Sequence, residues 1–395
     1  MARLVASGSA SLSTDSISLS SILYGTITVA NSSFISVNYS GGGATEFYGS
    51  FGYDSGGRNI AAGTLNAVRE FANGSLLYTL DGMSVSAPVF VGWVTSGQTA
   101  TARSTILAGS DAFYGSDYGD TLRGYAGNDM IYGGGGNDLL DGGSGVNYID
   151  GGAGEADTVV RSSSRSSSAF VNYGGGIFVG DSSGYDQLAN AEYIRFSDQT
   201  ISVSSAPAFN PLSYLAANLD IAAALGINPG AALNHYLTAG AREGRSATFN
   251  VDGYLAANPD LAAAFGSNTA AATQHYISAG RLEGRNTSFN VMNYIAANPD
   301  LIAAFGTNTT AAALHYATAG RLEGRSTTFN AAAYLARNPD VQRALGTSEL
   351  AAATHYVTSG YREGRSMAPL GPTTSTRAAM AHEPSEQSST LAAGW

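Results

Sequence analysis

An acidic or amide side chain returns every nine residues between positions 106 and 159. In a unit written GGxGxDxUx, where U is apolar, the sixth position is occupied by Asp111, Asp120, Asp129, Asp138 and Asn147. If the chain stacked these units on one another, neighbouring carboxylates would repel unless a cation lay between them. The spacing therefore indicates a row of cation-binding oxygen atoms.

The glycines of the same units indicate which cation. Glycine reaches positive φ angles and lets backbone carbonyl groups crowd together, so each turn can present carbonyl oxygens beside one carboxylate. Such a cage of hard oxygen ligands suits Ca²⁺ better than Zn²⁺ or Mg²⁺. The predicted facing pairs are Asp111 with Asp129, Asp120 with Asp138, and Asp129 with Asn147. The candidate metal-site residues are Gly109, Asp111, Asp120, Gly127, Asp129, Gly134, Gly136, Asp138, Gly143, Gly145, Asn147 and Asp157.

The eighth position of each unit is apolar, which predicts the element that carries the turns. A short xUx strand points one side chain inward, and a parallel coil stacks these side chains into a narrow core. A Gly/Asp-rich disordered linker, the alternative, has no reason to repeat an apolar residue at this interval. With two units per coil, one wall is Phe113, Ile131 and Ile149, and the other is Leu122, Leu140 and Val159.

With these units, residues 106–159 resemble the RTX array, the haemolysin-type calcium-binding nonapeptide repeat. The resemblance implies a parallel β-roll with Ca²⁺ in its turns. We expect the most complete sites around Asp120, Asp129 and Asp138. The departures from the family pattern are Ile106 and Leu107 for the opening glycines, Tyr118 for a fourth-position glycine, Asn147 for an aspartate, and an extra residue near Glu155 and Ala156 that displaces Asp157.

The composition excludes several classes of protein. The chain has 395 residues and a formal net charge of −11, and its 19 basic residues are all arginine. An acidic chain without lysine lacks the basic face that nucleic acids require, and it cannot contain a lysine P-loop. The absence of cysteine excludes disulfides, thiolate nucleophiles and cysteine-bound metals. We expect no nucleic-acid partner, no membrane span and no cleaved signal peptide at the polar N-terminus.

Residues 1–105 predict a β-rich N-terminal domain of antiparallel strands. Alternation runs through residues 16–40, and the Asn73-Gly74 pair predicts a tight hairpin. Helices predicted at 86–93 and 99–107 would cover the open first coil of the roll. The aromatic residues of this domain could form a carbohydrate platform, but we favour a sandwich core. They are Phe47, Tyr48, Phe51 and Tyr53.

Strand-like segments resume after a Ser/Arg run at 161–168 and complete a β-roll domain over 106–205. Residues 186–203, DQLANAEYIRFSDQTISV, resemble the DTLxNVExxxFSDGT segment found after RTX arrays, which implies that they close the last coil. Residues 180–184 also match the GxSxG nucleophile elbow of serine hydrolases. No helix pattern follows this match, so we favour an accidental one over catalysis by Ser182.

Four Ala-rich units of 40 residues occupy 209–368. In the second unit, Asn258 and Asn268 are predicted N-caps, Pro259 starts a helix, and Gly280 ends the last one. Because one unit buries little surface, the units are predicted to stack into an α-helical repeat array. They resemble NPD/HY/EGR repeats that recur beside RTX modules. The units begin at Phe209, Phe249, Phe289 and Phe329.

One histidine recurs in each unit: His235, His275, His315 and His355. A row of metal ligands is disfavoured, because helices pack roughly 8–10 Å apart whereas a Zn–N bond is about 2 Å. We favour hydrogen bonds to backbone, Asp or Tyr that hold one unit on the next. Glu283 and Arg285, with their equivalents, are predicted to form caps and ion pairs between units rather than acid/base machinery.

The patterns together predict a multidomain α+β fold: an N-terminal antiparallel β domain, a parallel β-roll, a C-terminal α-helical repeat array, and a flexible tail at 369–395. The predicted function is that of a secreted, non-enzymatic protein whose folding requires Ca²⁺ and whose helical repeats serve in adhesion or a surface layer. The RTX resemblance implies a type I secretion apparatus as a partner and an extracellular or cell-surface location. A cell-surface glycan or self-association would engage the repeats. The alternative is a secreted hydrolase that uses the array as an export and folding module.

Overall fold

The computed structural model describes residues 1–8 and 10–366 of the chain. Its contacts form two compact units, Met1–Thr248 and a second that begins at Phe249. The first of the four helical repeats, at 209–248, therefore groups with the β-rich unit, so the array predicted as one domain at 209–368 is divided. The predicted tail at 369–395 lies outside the described residues.

The β-rich unit begins with strands that precede the nonapeptides. These are β1 (Arg3–Ala6), β2 (Thr26–Ala30), β3 (Phe34–Asn38), β4 (Gly43–Tyr53), β5 (Ile60–Ala72), β6 (Ser75–Asp81) and β7 (Val85–Ser86). Three helices accompany them: α1 (Ser20–Tyr24), α2 (Ala87–Thr95) and α3 (Thr99–Ile106). The β5–β6 hairpin turns at Asn73 and Gly74, whose φ angles are 50° and 79°. Positive φ at both positions gives the tight turn that the Asn-Gly pair predicts.

Helix α2 packs on the inner face of this sheet. The ring of Phe90 lies 5.6 Å from the ring of Phe47, and Phe47 and Phe51 are buried. The two phenylalanines are therefore core residues, as favoured, and are not available as a carbohydrate platform. The core lies between a sheet and a helix, however, and not within a sandwich of two sheets.

The nonapeptides form short strands that alternate between two sheets. They are β8 (Ala112–Tyr114), β9 (Thr121–Arg123), β10 (Met130–Tyr132), β11 (Leu139–Asp141), β12 (Gly145–Asp150) and β13 (Thr158–Val160). The segment that follows adds β14 (Ala169–Tyr173), β15 (Gly176–Asp181), β16 (Gly184–Ala189), β17 (Tyr193–Arg195) and β18 (Thr200–Ser202). Short 3₁₀ turns occupy Thr14–Ser16, Arg165–Ser167 and Val203–Ser205.

The parallel register confirms the predicted coil of two units per turn. Ile131 pairs with Phe113 and with Ile149 in one sheet, while Leu140 pairs with Leu122 and Val159 in the other. All six side chains are fully buried. The segment at 186–203 continues the coil, because β16 pairs with β12 and β17 with β13. Antiparallel β18 then lies on β17.

Strand β1 joins the roll to the N-terminal sheet. It pairs antiparallel with β6 and parallel with β8, so thirteen strands of the described residues form one continuous sheet. On the other wall, Ser13 bridges to Thr121 of β9. The helices predicted at 86–93 and 99–107 form and share a core with the first coil, but extended segments, rather than these helices, pair with its strand edges. An open strand edge needs backbone hydrogen-bond partners, which another extended segment supplies and a helix does not.

Each helical repeat contains three helices of seven residues, the last of which continues as a one-turn π segment. The first repeat has α4 (Pro211–Ala217), α5 (Leu219–Leu225) and α6 (Pro229–His235), followed by Tyr236–Gly240. The second has α7 (Val251–Ala257), α8 (Pro259–Phe265) and α9 (Thr269–His275), followed by Tyr276–Gly280. The third has α10 (Val291–Ala297), α11 (Pro299–Phe305) and α12 (Thr309–His315), followed by Tyr316–Gly320. The fourth has α13 (Ala331–Arg337), α14 (Pro339–Leu345) and α15 (Glu349–His355), followed by Tyr356–Gly360.

Two of the predicted caps behave differently. The side chain of Asn268 accepts a hydrogen bond from the Ala271 N–H at 3.0 Å and caps α9. Asn258 stands at the N-cap position of α8, but its side chain makes no capping bond. It donates instead to the carbonyls of Tyr254 and Asn286, both at 2.7 Å. This amide therefore ties the end of α7 to the segment that leaves the repeat.

Across residues 1–8 and 10–366, every helix is too short or too polar to cross a lipid bilayer.

Candidate metal centre in the turns of the roll

The predicted facing pairs meet in the turns that enter the first sheet. Oδ1 of Asp129 accepts a hydrogen bond from the Asp111 N–H at 2.8 Å, and Oδ1 of Asn147 accepts one from the Asp129 N–H at 3.0 Å. The register continues the column to Asp186, which pairs with Asn147. The side-chain amide of Asn147 donates to Oδ1 of Asp186 at 2.8 Å. The side chains of Asp129 and Asn147 thus fix the backbone of the coil before them, whereas Asp186 holds the side chain of Asn147.

The same arrangement recurs in the turns of the second sheet. The Asp120 N–H donates to Oδ1 of Asp138 at 2.7 Å, and the Asp138 N–H donates to Oδ1 of Asp157 at 2.8 Å. The extra residue near Glu155 is therefore accommodated within the turn, and Asp157 keeps its place in the column. The Asp157 N–H donates to Oε2 of Glu192 at 2.8 Å.

Asp186 and Glu192 belong to these columns but are absent from the predicted site. The sequence nevertheless contains a pattern that identifies both residues. Each stands two residues before an inward apolar side chain, Leu188 or Ile194, as Asp129 stands two residues before Ile131. The period is broken before them by the inserted β14–β15 hairpin, which hides the relation from a fixed nine-residue count.

In the later nonapeptides, each column residue accepts a hydrogen bond, through its side chain, from a backbone N–H of the coil before it. For the first coil, the N-terminal segment provides these N–H donors. The Ala2 N–H donates to Oδ1 of Asp111, and the Leu12 N–H donates to Oδ1 of Asp120. Both columns are therefore continuous from the first residues of the chain to the strands that close the roll.

Four carboxylate oxygens in the columns lack any partner. Among the described residues, Oδ2 of Asp111, Asp129, Asp138 and Asp157 is buried without a hydrogen bond. Burying a carboxylate oxygen without a partner costs free energy, so we expect each of these carboxylates to bind either a proton or a cation. Burial raises the pKa of Asp129 and of Asp138 to about 7, and it also raises the pKa of Asp157.

The first-position glycines leave room for an ion beside these oxygens. A Cβ atom at Gly133 would lie 2.1 Å from Oδ2 of Asp138 and 2.4 Å from the Gly151 carbonyl oxygen. A Cβ atom at Gly124 would lie 2.4 Å from Oδ2 of Asp129 and 2.8 Å from the carbonyl oxygen of Gly142. A carboxylate oxygen and a carbonyl oxygen thus converge beside each glycine. This donor set fits Ca²⁺, which takes backbone carbonyls and carboxylates in flexible turns.

A further space of this kind lies beside Gly151. There a Cβ atom would lie 2.1 Å from the Asn190 carbonyl oxygen and 2.7 Å from Oδ2 of Asp157. In the part of the chain that the structure describes, no three His, Cys, Asp or Glu side chains form a metal cluster. A site here therefore depends on backbone carbonyls for most of its ligands, with one acid from each turn.

The remaining glycines of the predicted site bring successive turns into contact. A Cβ atom at Gly145, where φ is 113°, would lie 1.8 Å from the Gly127 carbonyl oxygen. Only glycine permits both this backbone conformation and this approach. The same stacking places Gly127 on Gly109, Gly134 on Ser116, Gly136 on Tyr118 and Gly119, and Gly143 on Tyr125.

The first coil differs from the middle ones. Both oxygens of Asp120 have donors on the protein, since Oδ2 accepts from the Ser116 N–H at 2.5 Å. Beside Asp111 the glycine neighbour is Gly109, whose Cβ would lie 3.8 Å from the nearest carboxylate oxygen. Of the three sites expected to be most complete, those at Asp129 and Asp138 have a free oxygen, whereas that at Asp120 does not.

The GxSxG match lies in a hairpin. Residues 182–183 connect β15 to β16, and the next element is a strand rather than the helix that follows a nucleophile elbow. Ser182 is exposed at this turn, and Asp181 before it is held by an ion pair with Arg161 at 2.7 Å.

The repeated histidines bond tyrosines, but within one repeat. His275 Nδ1 and the Tyr254 hydroxyl share a hydrogen bond of 2.8 Å, and the other three repeats have the same pair. The prediction that these bonds hold one unit on the next is therefore wrong. The reason is that Gly280 lets α9 and its π segment approach the first helix of their own repeat. A Cβ atom there would lie 2.1 Å from the Tyr254 hydroxyl oxygen.

The repeated ion pairs are also internal to each unit. Arg285 contacts Asp260 at 2.6 Å and Glu283 at 2.8 Å, and all three residues belong to the second repeat. The predicted ion pairs between units are thus wrong for these residues. Between the second and third repeats, Thr310 instead donates to Asp252 at 3.0 Å.

Comparison with known protein families finds a similarity over most of the two columns. A family model for the RTX calcium-binding nonapeptide repeat (4 copies) matches residues 107–140, 114–149 and 131–155. No curated protein sequence matches the chain. The matched stretch contains the acids from Asp111 to Asp138 and the glycines that line the free oxygens. Residues 107–155, which form most of the roll, are therefore similar to RTX calcium-binding repeats.

Proposed function

We propose that this chain is a secreted protein in which Ca²⁺ completes the roll, and that its helical repeats present a binding surface without catalysis. The observation that carries the proposal is the set of buried, unpaired carboxylate oxygens of Asp111, Asp129, Asp138 and Asp157. Bound Ca²⁺ would neutralise these acids and cross-link adjacent turns.

The chain's own residues prepare this site. Oδ1 of Asp129, Asp138 and Asp157 is already committed to a backbone N–H, which aims Oδ2 at the space beside the first-position glycine. The carbonyls of Gly142 and Gly151 face the same spaces. Glycine-rich turns lose much conformational entropy on folding, so they need the ion's binding free energy to become ordered.

Coupling of folding to calcium binding suits a protein that is exported from the cell. At neutral pH, a chain whose turns need Ca²⁺ stays unfolded where the ion is scarce and folds where it is abundant. The type I secretion apparatus and the extracellular location that the repeats imply are therefore part of the proposal. The hydrolase alternative receives no support from Ser182, which lies in a hairpin turn.

The repeats offer apolar side chains to solvent at matching positions. Leu282 and Leu322 stand 40 residues apart in the second and third repeats, and each is 77% exposed. Scattered surface leucines need no explanation, but a repeated one suits a repeated ligand. We propose a polymeric partner for this surface, either a cell-surface glycan or another copy of the chain.

Calcium titration of the full chain tests the proposal. Because Ala2 and Leu12 complete the columns, a fragment limited to the roll would lack part of the site. After removal of divalent ions, addition of Ca²⁺ should increase the far-ultraviolet β signal and release binding heat, whereas Mg²⁺ should do so only weakly. Identical spectra with and without the ion would contradict the proposal.

The surface requires a separate test. Binding to immobilised glycans and self-association in sedimentation experiments should both be measured for the wild type and for Leu282→Ser/Leu322→Ser. Loss of one of the two activities in the double variant would identify the partner. Retention of full binding by the double variant would exclude these leucines from the contact.

A further inference from the structure

A buried arginine ends the first column of acids. The Arg161 side chain is 3% exposed, and its guanidinium contacts Asp186 at 2.9 Å and Asp181 at 2.7 Å. The Asp186 side chain is fully buried. A buried charge persists only when it is paired, and here one cation lies between two carboxylates. Unlike Asp129, Asp186 therefore has no unpaired oxygen.

The place of Arg161 in the coil is that of a first-position glycine. Leu140 pairs with Leu122 and with Val159, so the residues two positions further on are Gly124, Gly142 and Arg161. The absence of a side chain at Gly124 leaves the space beside Asp129. In the last coil the equivalent position carries a side chain, and its charged end contacts the last acid of the column.

Asn147 places an amide nitrogen in the space beside Gly142. A Cβ atom at Gly142 would lie 2.5 Å from Nδ2 of Asn147 and 2.6 Å from Oδ1 of Asp186. The equivalent space beside Gly124 has a carboxylate oxygen and a carbonyl oxygen. An amide N–H₂ repels a cation, and here it donates to Asp186 instead.

From these contacts we propose that Arg161 is a built-in cation that replaces calcium in the last coil. The column formed by Asp111, Asp129, Asn147 and Asp186 binds metal only as far as Asp129, and it closes with a charge from the chain itself. This inference rests on the proposed calcium binding of the earlier turns. It adds that the C-terminal end of the roll folds without the ion and gives the rest of the roll a preformed edge.

The test is the number of calcium ions bound per full-length chain, measured by native mass spectrometry and calorimetry. Arg161→Gly restores the glycine of the earlier coils and frees Asp186, so we expect one more ion than in the wild type. Arg161→Lys retains a cation and should bind the wild-type number. Arg195→Gly removes an exposed arginine from β17 and controls for the loss of one positive charge.

The outcomes separate the two proposals. A wild type that binds no calcium would refute the proposed function itself. A wild type that binds calcium, combined with an Arg161→Gly variant that binds the same number or fewer, would overturn only the role of Arg161.

If Arg161→Gly does not fold, hydrogen exchange on the calcium-free wild type decides. We expect amide protection around Asp186 without calcium, together with protection around Asp129 and Asp138 that appears only after calcium is added. Equal lack of protection at Asp186 and Asp138 in the calcium-free chain would overturn the proposal.

Discussion

The backbone N–H of Asp120 donates to Oδ1 of Asp138 across 2.7 Å, while Oδ2 of the same carboxylate has no partner. The two oxygens therefore have different tasks. One orders the backbone of the adjacent coil, and the other is left for an ion. These two roles explain why the position carries aspartate. An asparagine oxygen could accept the backbone hydrogen bond, but its side chain has no negative charge with which to bind an ion.

Asp138→Asn should remove one calcium ion and leave the coil in register. The asparagine oxygen can still accept from Asp120, but the amide nitrogen would face the ion. At a calcium concentration 100 times the dissociation constant, loss of one independent site should lower the unfolding free energy by about 2.7 kcal/mol. Calorimetric stoichiometry and denaturant unfolding measure the two effects. Asp117→Asn, the same change at an exposed position of the array, should preserve the ion count, and an unchanged count in Asp138→Asn would refute the assignment.

Gly133→Ala should abolish the same site without changing any charge. The new methyl group would lie 2.1 Å from Oδ2 of Asp138 and 2.4 Å from the Gly151 carbonyl oxygen, so it would occupy the space of the ion. We expect one calcium fewer in native mass spectra. Gly92→Ala is the control, because open space surrounds Gly92 in α2. Full calcium occupancy in Gly133→Ala would show that the ion lies elsewhere.

Without calcium, the folded roll should be populated at low pH and lost as pH rises, because protons replace the ion only while Asp129 and Asp138 are protonated. Burial raises the pKa of Asp129 and Asp138 from 3.8 to about 7, so between these values the folded state binds more protons than the unfolded state. The unfolding free energy then decreases from about pH 4 to about pH 7. With calcium the slope should reverse, because the ion needs the deprotonated carboxylate. The far-ultraviolet β signal of the ion-free chain at pH 5 and pH 8 provides the measurement, and a signal that increases with pH would contradict the prediction.

In the helical repeats, Tyr254 and Gly280 should be energetically coupled. Tyr254→Phe removes the hydroxyl that bonds His275 and should cost about 0.5–1.5 kcal/mol. Gly280→Ala places a methyl group 2.1 Å from that hydroxyl oxygen and should cost about 1–3 kcal/mol. The double variant should cost less than the sum, because the closest clash disappears with the hydroxyl. A double-mutant cycle on the full chain measures this coupling, and additive costs would exclude it.

Leu4→Ala should destabilise the roll as well as the N-terminal sheet. Leu4 is 1% exposed and pairs with both Leu80 and Phe113, so the truncation should cost about 2–5 kcal/mol. Amide exchange at Phe113 and at Leu80 should accelerate together. Val5→Ala, on the more exposed face of the same strand, should cost less. Acceleration at Leu80 alone would show that the roll folds independently of β1.

Periodicity made the roll predictable. A nine-residue interval fixes which side chains face inward, and that alone determines the pairing of Ile131 with Phe113 and of Asp138 with Asp120. The raised pKa of the acids and the free Oδ2 atoms follow from this stacking. The sequence therefore predicts which side chains face one another in the turns, and their binding of Ca²⁺ stays a prediction.

The pairings that were missed are those that depend on distant segments. Asp186 enters its column after an inserted hairpin, and Arg161 reaches the same column from the opposite wall. Neither position in the column can be predicted from the nine-residue period alone. In the repeats, Asn258 and Gly280 match capping signals by type, but packing against Tyr254 directs both to other tasks.

Strand β1 occupies an interior position in the thirteen-stranded sheet, and Ala2, directly before it, bonds Asp111 at a separation of 109 positions. Such long-range closure is slow, because the intervening loop must first lose entropy. The roll cannot simply grow from one nonapeptide to the next, since its starting edge comes from the opposite end of the β-rich unit. The nine-residue unit that repeats in the sequence is therefore smaller than the unit that folds cooperatively, because the folding unit includes β1.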